Sequence, residues 1–127
     1  MTQEEIIGLV KEWQRRLKLD HWTLEIELDA DLPEGISASI TPLDARYCAL
    51  LKLPKQATEY DNEELETCVI HELLHLHLYH IHKTVERLCQ WHSREFQDII
   101  YTEVVNEVEL ATDAISTAIY GVAKNKD

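Results

Sequence analysis

Two histidines and a glutamate stand close together at residues 71–75, which read His-Glu-Leu-Leu-His. On an α-helix, residues i and i+4 lie on one face, one turn apart, so His71 and His75 can bind one zinc ion. Glu72 would point about 100° away from His71 around the helix axis. From there it can take a proton from a zinc-bound water without binding the metal itself. The segment therefore predicts Zn²⁺ held by His71 and His75, with Glu72 as the catalytic base of a hydrolase.

The elements that would position this segment are indicated by the patterns on both sides of it. Asp61 has the position of a helix cap, and the apolar residues that follow it predict a helix over residues 61–79. Thr2 caps an earlier predicted helix over residues 3–18, whose apolar residues recur at intervals of three and four. The two histidines therefore lie inside a helix and not in a loop.

Three segments between these helices alternate between apolar and polar residues, as strands do. The first is residues 22–28, the second is residues 36–40, ended by Pro42, and the third is residues 47–53, followed by a proline. They predict a small sheet. We expect the third strand to form the sheet edge beside the cleft, where it could pair with an extended peptide.

The remainder of the chain is predicted to be almost entirely helical, because no proline follows Pro54. A break near residues 82–84 or 90–93 would let the last helix fold back. Its apolar stripe, expected to face the core, consists of Phe96, Ile100, Val104, Val108, Ala111, Ile115, Ala118 and Val122. The prediction is a single α+β domain over residues 1–127, with an N-terminal helix, a three-stranded sheet, the histidine helix and a long C-terminal helix.

The His-Glu-x-x-His segment and this order of elements resemble the zincin metallopeptidases. The layout is similar to their smallest members: SprT-like proteins, minimal gluzincins and small phage metallopeptidase-like proteins. The resemblance implies a zincin-like fold, Zn²⁺ as cofactor, and hydrolysis of a peptide or protein substrate with Glu72 as general base. It is specific only at residues 71–75. Zincins use three protein ligands and leave the fourth position to water, so a third ligand must come from elsewhere in the chain.

Two families within the zincins suggest different third ligands. Gluzincins use a Glu on a following helix, with an Asp four residues later that supports a metal-binding His. Glu109 and Asp113 have this spacing, and Glu109 is the favoured ligand. Glu103 and Glu107, on the same predicted helix, are further candidates. Glu107 points closest to the apolar stripe, where an unpaired carboxylate would be costly.

SprT-like proteins instead supply a third His from a His-Gly-x-x-Phe or His-Gly-x-x-Trp segment. Residues 92–96 read His-Ser-Arg-Glu-Phe, with Ser93 in place of the glycine. His92 and Glu109 are roughly 25 Å apart if the helix is continuous. Only one of them can reach the metal, and His92 stays the alternative to Glu109.

Other classes of metal protein fit less well. Metzincins continue the motif to a Gly and a third His, but Leu78 and Ile81 occupy those positions. A family of zinc endoribonucleases would likewise place its third His at Ile81 and its glycines at Glu72 and Leu78, and is kept as a distant alternative. A metal-binding module without catalysis is a further alternative, although metal binding alone would not require Glu72.

The composition limits the class of partner and the compartment. The chain has 12 basic and 24 acidic residues and a formal charge of −12, so it would repel a phosphate backbone, and no nucleic-acid partner is expected. No apolar run or leader pattern points to a membrane or to export. Three widely spaced cysteines do not make a disulfide framework, and a cytoplasmic location is expected. We expect His77, His80 and His82 to be exposed, and Trp13, Trp22, Trp91 and Cys68 to be core residues.

Overall fold

The computed structural model describes residues 1–43 and 46–125, which form an α+β fold. In chain order its elements are α1 (Gln3–Arg16), β1 (Thr23–Glu27), β2 (Ser39–Leu43), β3 (Cys48–Lys52), a short 3-10 helix (Lys55–Glu59), α2 (Asn62–His77), α3 (Tyr79–Cys89) and α4 (Arg94–Asn125). The predicted α+β class and the order of its elements are confirmed. The C-terminal helical region is interrupted at residues 90–93, one of the two predicted places. Residues 82–84, the other predicted place, lie within α3.

The two predicted helix starts are confirmed by their capping bonds. The backbone N–H of Glu5 donates to Thr2 Oγ1 at 3.1 Å, and that of Glu64 donates to Asp61 Oδ1 at 2.8 Å. Each bond satisfies an N–H that the first helical turn leaves without a partner. The start of the helix that carries residues 71–75 is therefore fixed by local chemistry.

The sheet has the strand order β1-β3-β2, which corrects two expectations. The strand β3 pairs in parallel with β1 and antiparallel with β2, so it is central and cannot accept a peptide at its edge. An edge is instead formed by β2. Pro42 lies within β2 and does not end it, because an edge strand tolerates a residue without an N–H. The strand begins at Ser39, and Ile36 is exposed before it.

The core lies between the sheet, α1 and α2. Its fully buried members include Ile6, Val10, Leu51, Leu53, Leu65, Val69, Ile70 and Leu73. Trp13 and Trp22 join this core, as predicted, but Trp91 is 84% exposed, which contradicts the prediction. Trp91 lies in the short connection between α3 and α4, away from the sheet. Cys68 is half-buried and packs against the core.

The face of α4 that packs on the rest of the molecule differs from the prediction. Phe96, Ile115 and Val122 of the expected apolar stripe are exposed, whereas Thr112 and Ser116 are buried. The helix packs against α2, and small side chains permit that close approach. This orientation turns the polar face of α4 towards residues 71–75.

Candidate metal centre

The two histidines of α2 lie side by side and remain partly open to solvent. The ring centroids of His71 and His75 are 5.1 Å apart, as expected for residues one helical turn apart. Their side chains are 17% and 19% exposed. The helix α2 is held from below by the buried residues Ile70, Leu73 and Leu74, so it presents both imidazoles on a supported surface.

The helix α4 crosses α2 and brings Glu109 to both histidines. Glu109 Oε2 lies 3.1 Å from His71 Nε2, and Glu109 Oε1 lies 2.9 Å from His75 Nε2. One ligand atom from each of these three residues lies within 4.8 Å of the others. The structure thus brings together two Nε2 atoms and a carboxylate from helices that are distant in sequence.

Asp113, one turn further along α4, contacts the other nitrogen of His71. Its Oδ1 lies 2.7 Å from His71 Nδ1. A neutral imidazole carries only one N–H, and if Nδ1 donates it to Asp113, the lone pair of Nε2 faces an oxygen of Glu109. That arrangement is repulsive unless His71 takes a second proton or a cation lies between the two atoms. The geometry is that of a site built to hold positive charge.

The donor set matches a zinc ion in kind and in spacing. Two imidazole nitrogens and one carboxylate oxygen are common ligands of catalytic zinc. Two ligands bound tetrahedrally at about 2.1 Å would be about 3.4 Å apart. The 2.9 and 3.1 Å contacts join each histidine to a different oxygen of Glu109, and one atom from each of the three residues lies within 4.8 Å of the others, so small side-chain movements reach that spacing. Asp113 would orient His71, as carboxylates do for metal-binding histidines.

Glu72 lies beside these groups, facing the sheet. Its pKa is raised to about 8, chiefly by burial and also by the negative charges of Glu109 and Asp113, while a backbone hydrogen bond from Ile40 on β2 acts in the opposite direction. Burial lowers the pKa of His75, although Glu109 partly compensates. The helix thus places a carboxyl group of raised pKa next to the three possible ligands.

A cleft of about 620 Å³ opens beside Glu72, His75 and Glu109. Its wall on one side is the segment from Ile36 to Pro42, which includes most of the edge strand β2. The opposite wall comes from α3 and α4; its members are Tyr79, His82, Lys83, Glu86 and Tyr101. Such a cleft can admit an extended chain alongside β2.

Two residues of this cleft were missed by the sequence reasoning. His82 and Tyr101 face each other with ring centroids 5.9 Å apart. His82 is seven residues, or about two turns, beyond His75, a spacing that could have identified it. It is half-buried, not exposed as predicted. No local pattern identifies Tyr101, because only the packing of α4 brings it to the cleft.

The alternative ligand His92 is placed elsewhere. It is exposed, its ring lies 4.8 Å from that of Phe96, and it precedes the first turn of α4. Ser93 starts that helix: its Oγ accepts the N–H of Phe96 at 3.3 Å. Within residues 1–43 and 46–125, the group placed so that it could hold a metal ion consists of His71, His75 and Glu109 and does not include His92.

The other two candidate ligands lie along a second groove. Glu103 and Glu107 line an apolar groove of about 400 Å³ together with Leu78, Ile81 and Val104. Because Glu107 is exposed at the rim of this groove, its carboxylate is solvated and needs no metal ion or salt bridge to offset the apolar stripe nearby. Neither carboxylate belongs to the metal-ligand group found among the described residues.

Two further residues near the site have structural roles. His77 lies at the end of α2, and its Nε2 is 2.7 Å from the carbonyl oxygen of Leu17, which caps α1. Burial raises the pKa of the Cys68 thiol to about 12, with further contributions from Glu72 and Glu64. Cys68 therefore stays a neutral thiol, which is a poor zinc ligand.

The fold and site thus define an α+β protein with a candidate metal centre between two helices. A model of the SprT-like family matches residues 11–115, and the chain belongs to this family. No curated protein and no solved structure gave a match. In the part of the chain that the structure describes, no helix is long and apolar enough to cross a membrane.

Membership of this family and the geometry point to different third ligands. The family resemblance implies a His at position 92, whereas the packing of α4 puts Glu109 beside His71 and His75. The distances favour Glu109, whose carboxylate oxygens lie 3.1 Å from His71 Nε2 and 2.9 Å from His75 Nε2.

Proposed function

We propose that this protein is a zinc-dependent metallopeptidase with a zincin-like site. The observation that carries the proposal is the meeting of His71 Nε2, His75 Nε2 and the Glu109 carboxylate, with Asp113 on His71 Nδ1. Membership of the SprT-like family supports the same class of activity. In the proposal, His71, His75 and Glu109 hold the ion, and Asp113 orients His71.

When bound, zinc supplies Lewis acidity that polarises a carbonyl group and makes water acidic enough to react near neutral pH. The carboxylate of Glu72 accepts a proton from the attacking water and passes it to the nitrogen of the leaving amine. Burial and the neighbouring carboxylates favour the protonated form of Glu72, which is the form that donates to the amine. Positive charge at the site favours the carboxylate, which is the form that accepts.

The edge strand β2 supports the choice of a peptide substrate. It lines the cleft beside Glu72, and an edge strand can pair through its backbone with an extended peptide. This assigns to β2 the role that was expected of the third strand. A peptide paired there would run past Glu72 and Glu109, which line the same cleft.

The test measures metal content and hydrolysis in one set of variants. Elemental analysis of the purified protein should give about one zinc per chain, kept in Glu72→Gln and lost in His71→Ala and Glu109→Ala. His92→Ala is the matched control, and its zinc content should be unchanged. The wild type should hydrolyse fluorescent casein or an unstructured peptide, and Glu72→Gln should not.

Three results would contradict parts of the proposal. Loss of zinc in His92→Ala but not in Glu109→Ala would assign the third ligand to His92. Stoichiometric zinc without hydrolysis of any peptide would indicate a metal-binding module. No stoichiometric zinc, even after zinc is added, would remove the basis of the proposal.

A further inference from the structure

Four aromatic rings meet near the end of β2, and we call Trp22, Tyr47, Tyr79 and His80 the aromatic box. Going round from Trp22 to Tyr47, His80, Tyr79 and back, neighbouring ring centroids are 5.2, 6.1, 5.5 and 5.5 Å apart. The corresponding angles between ring planes are 90°, 73°, 68° and 86°. Each ring therefore stands steeply against its two neighbours in the box, and the ring of His21 packs on the outside against Trp22 and Tyr47.

The aromatic box borders a cavity of about 180 Å³, to which Leu43 also contributes. A cavity of about 150 Å³ accepts a molecule the size of benzene, so this one can accept a compact organic group. An alkylated ammonium ion holds water more weakly than a primary ammonium ion, so it loses less on entering a cavity lined by aromatic rings.

The backbone at Tyr47 holds its ring in this position. Its φ is 54°, in the left-handed region that a bulky residue adopts only at an energetic cost. The carbonyl of Tyr47 accepts a hydrogen bond from the N–H of Thr23 at 2.7 Å, which attaches the backbone at Tyr47 to the start of β1. The side chain remains 44% exposed, so burial of the ring does not explain the conformation. A wall of the aromatic box is thus placed at the surface, in contact with the rings of Trp22 and His80.

We propose that the aromatic box binds a quaternary ammonium group. The faces of aromatic rings attract cations, and several rings around one alkylated ammonium ion are an established means of recognition. Walls at steep angles suit a round group better than a planar guanidinium, which stacks on a flat face. The net charge of −12 raises the local concentration of cations.

The position of the aromatic box indicates a trimethylated lysine of a protein as the source of this group. Tyr79 lines both the box cavity and the cleft beside Glu72. The neighbouring residues Pro42 and Leu43 of β2 line the cleft and the box cavity respectively. A polypeptide along β2 could therefore place a side chain in the aromatic box. This choice of source rests on the proposed function, whereas the binding of the cation does not.

The first experiment compares choline with 3,3-dimethyl-1-butanol, which has the same shape but no charge. Each is titrated into the zinc-loaded full chain, and the NMR signals of the Trp22 indole N–H and the Leu43 methyl groups are followed. Choline should give saturable shifts, and the uncharged analogue should bind at least about tenfold more weakly than choline. Equal binding of the two compounds, or no saturable shift with choline, would overturn the proposal.

Variants locate the binding and separate it from catalysis. Tyr47→Leu should weaken choline binding about tenfold, Tyr47→Phe should retain it, and Tyr101→Leu is the matched control outside the aromatic box. If Tyr47→Leu fails to fold, the variant His80→Ala gives the same test, because His80 is exposed and its loss should be tolerated. Unchanged binding in the variants that fold would overturn the assignment. Glu72→Gln should bind choline normally, so loss of hydrolysis and loss of cation binding are distinguishable.

The source is tested with two peptides of one sequence, containing lysine or trimethyllysine, and with phosphocholine. The trimethyllysine peptide should bind more tightly than either of the others. Tighter binding of phosphocholine would overturn the protein source, and equal binding of the two peptides would overturn the preference for a quaternary ammonium group.

Discussion

At the scale of single residues, the candidate site depends on how protons and charges are shared around His71. Both of its ring nitrogens face carboxylate oxygens, Asp113 at Nδ1 and Glu109 at Nε2. One N–H cannot satisfy both contacts. If Nδ1 carries the N–H and donates it to Asp113, the Nε2 lone pair is left for a cation. Asp113 is therefore a positioning residue whose effect should appear in metal affinity.

The substitution Asp113→Ala is expected to lower zinc affinity by about 10- to 100-fold, the usual range for such a supporting carboxylate. Asp113→Asn should cost less, because the amide oxygen can still accept the Nδ1 proton. Competition with a chromophoric chelator measures both affinities. Asp98→Ala, at an exposed position of the same helix, is the control, and an equal loss in that variant would rule out a local effect.

Glu72 gives a prediction about pH in the metal-free protein. Its folded-state pKa is about 8, above the ordinary value of 4.5, chiefly because of burial. The folded state thus binds this proton more tightly than the unfolded chain. The stabilisation is complete below about pH 4.5 and is lost as the pH rises through 8.

Glu72→Gln does not titrate, so the stability of the wild type relative to this variant should fall by roughly 2–4 kcal/mol from pH 5 to 9. Urea unfolding of both proteins in a chelating buffer measures this difference. Every other ionisable group is present in both proteins. A difference that does not change with pH would contradict the raised pKa.

At the scale of elements, α4 shows where sequence periodicity succeeds and fails. Apolar residues at helical spacing identified a helix, but five of the eight residues in the predicted stripe are exposed and the other three are only half-buried. Thr112 and Ser116 are buried instead, and each hydroxyl donates to a carbonyl of its own helix, that of Val108 at 2.6 Å and that of Asp113 at 3.0 Å. Such self-satisfied hydroxyls pack like small apolar groups, which a hydropathy pattern cannot recognise.

This packing predicts that Ser116→Leu will displace α4 and weaken the metal site at a distance. Overpacking there should cost about 1–3 kcal/mol, and zinc affinity should fall because Glu109 and Asp113 move with the helix. Thermal unfolding and chelator competition measure the two effects. Ile115→Ser, on the exposed stripe, should change stability by no more than about 0.5 kcal/mol; a larger loss there would mean that the stripe is covered.

The sheet and the third ligand depend on contacts between distant parts of the chain. The strands were located approximately, but their order was not, because β1 pairs with β3 although β2 lies between them in the sequence. The spacing of His71 and His75 fixes their geometry within one helix. Glu109 and Asp113 have the spacing expected of a ligand and its supporting Asp, yet only the crossing of α4 over α2 brings Glu109, and not Glu103 or His92, to the two histidines.

At the scale of the whole molecule, negative charge is concentrated where the helices meet. Glu72, Glu109 and Asp113 surround the two histidines in a chain of net charge −12. Without a cation, burial and the charges of Glu109 and Asp113 across the contact between α2 and α4 favour the protonated form of Glu72. A bound cation would offset this negative charge and join the two helices directly, so metal binding and folding should be linked.

Zinc is therefore expected to stabilise the whole fold and not only the site. At a free concentration 100 times its Kd, an ion that binds only the folded state adds about 2.7 kcal/mol. For a chain of this size that corresponds to a rise of roughly 10 °C in the unfolding midpoint. Calorimetry with zinc and with chelator measures it. His71→Ala, which lacks a proposed ligand, should show no rise. Glu72→Gln should show at least the wild-type rise, because this variant lacks the catalytic base but keeps all three proposed metal ligands. A midpoint independent of zinc in the wild type would mean that α2 and α4 are held together without the ion.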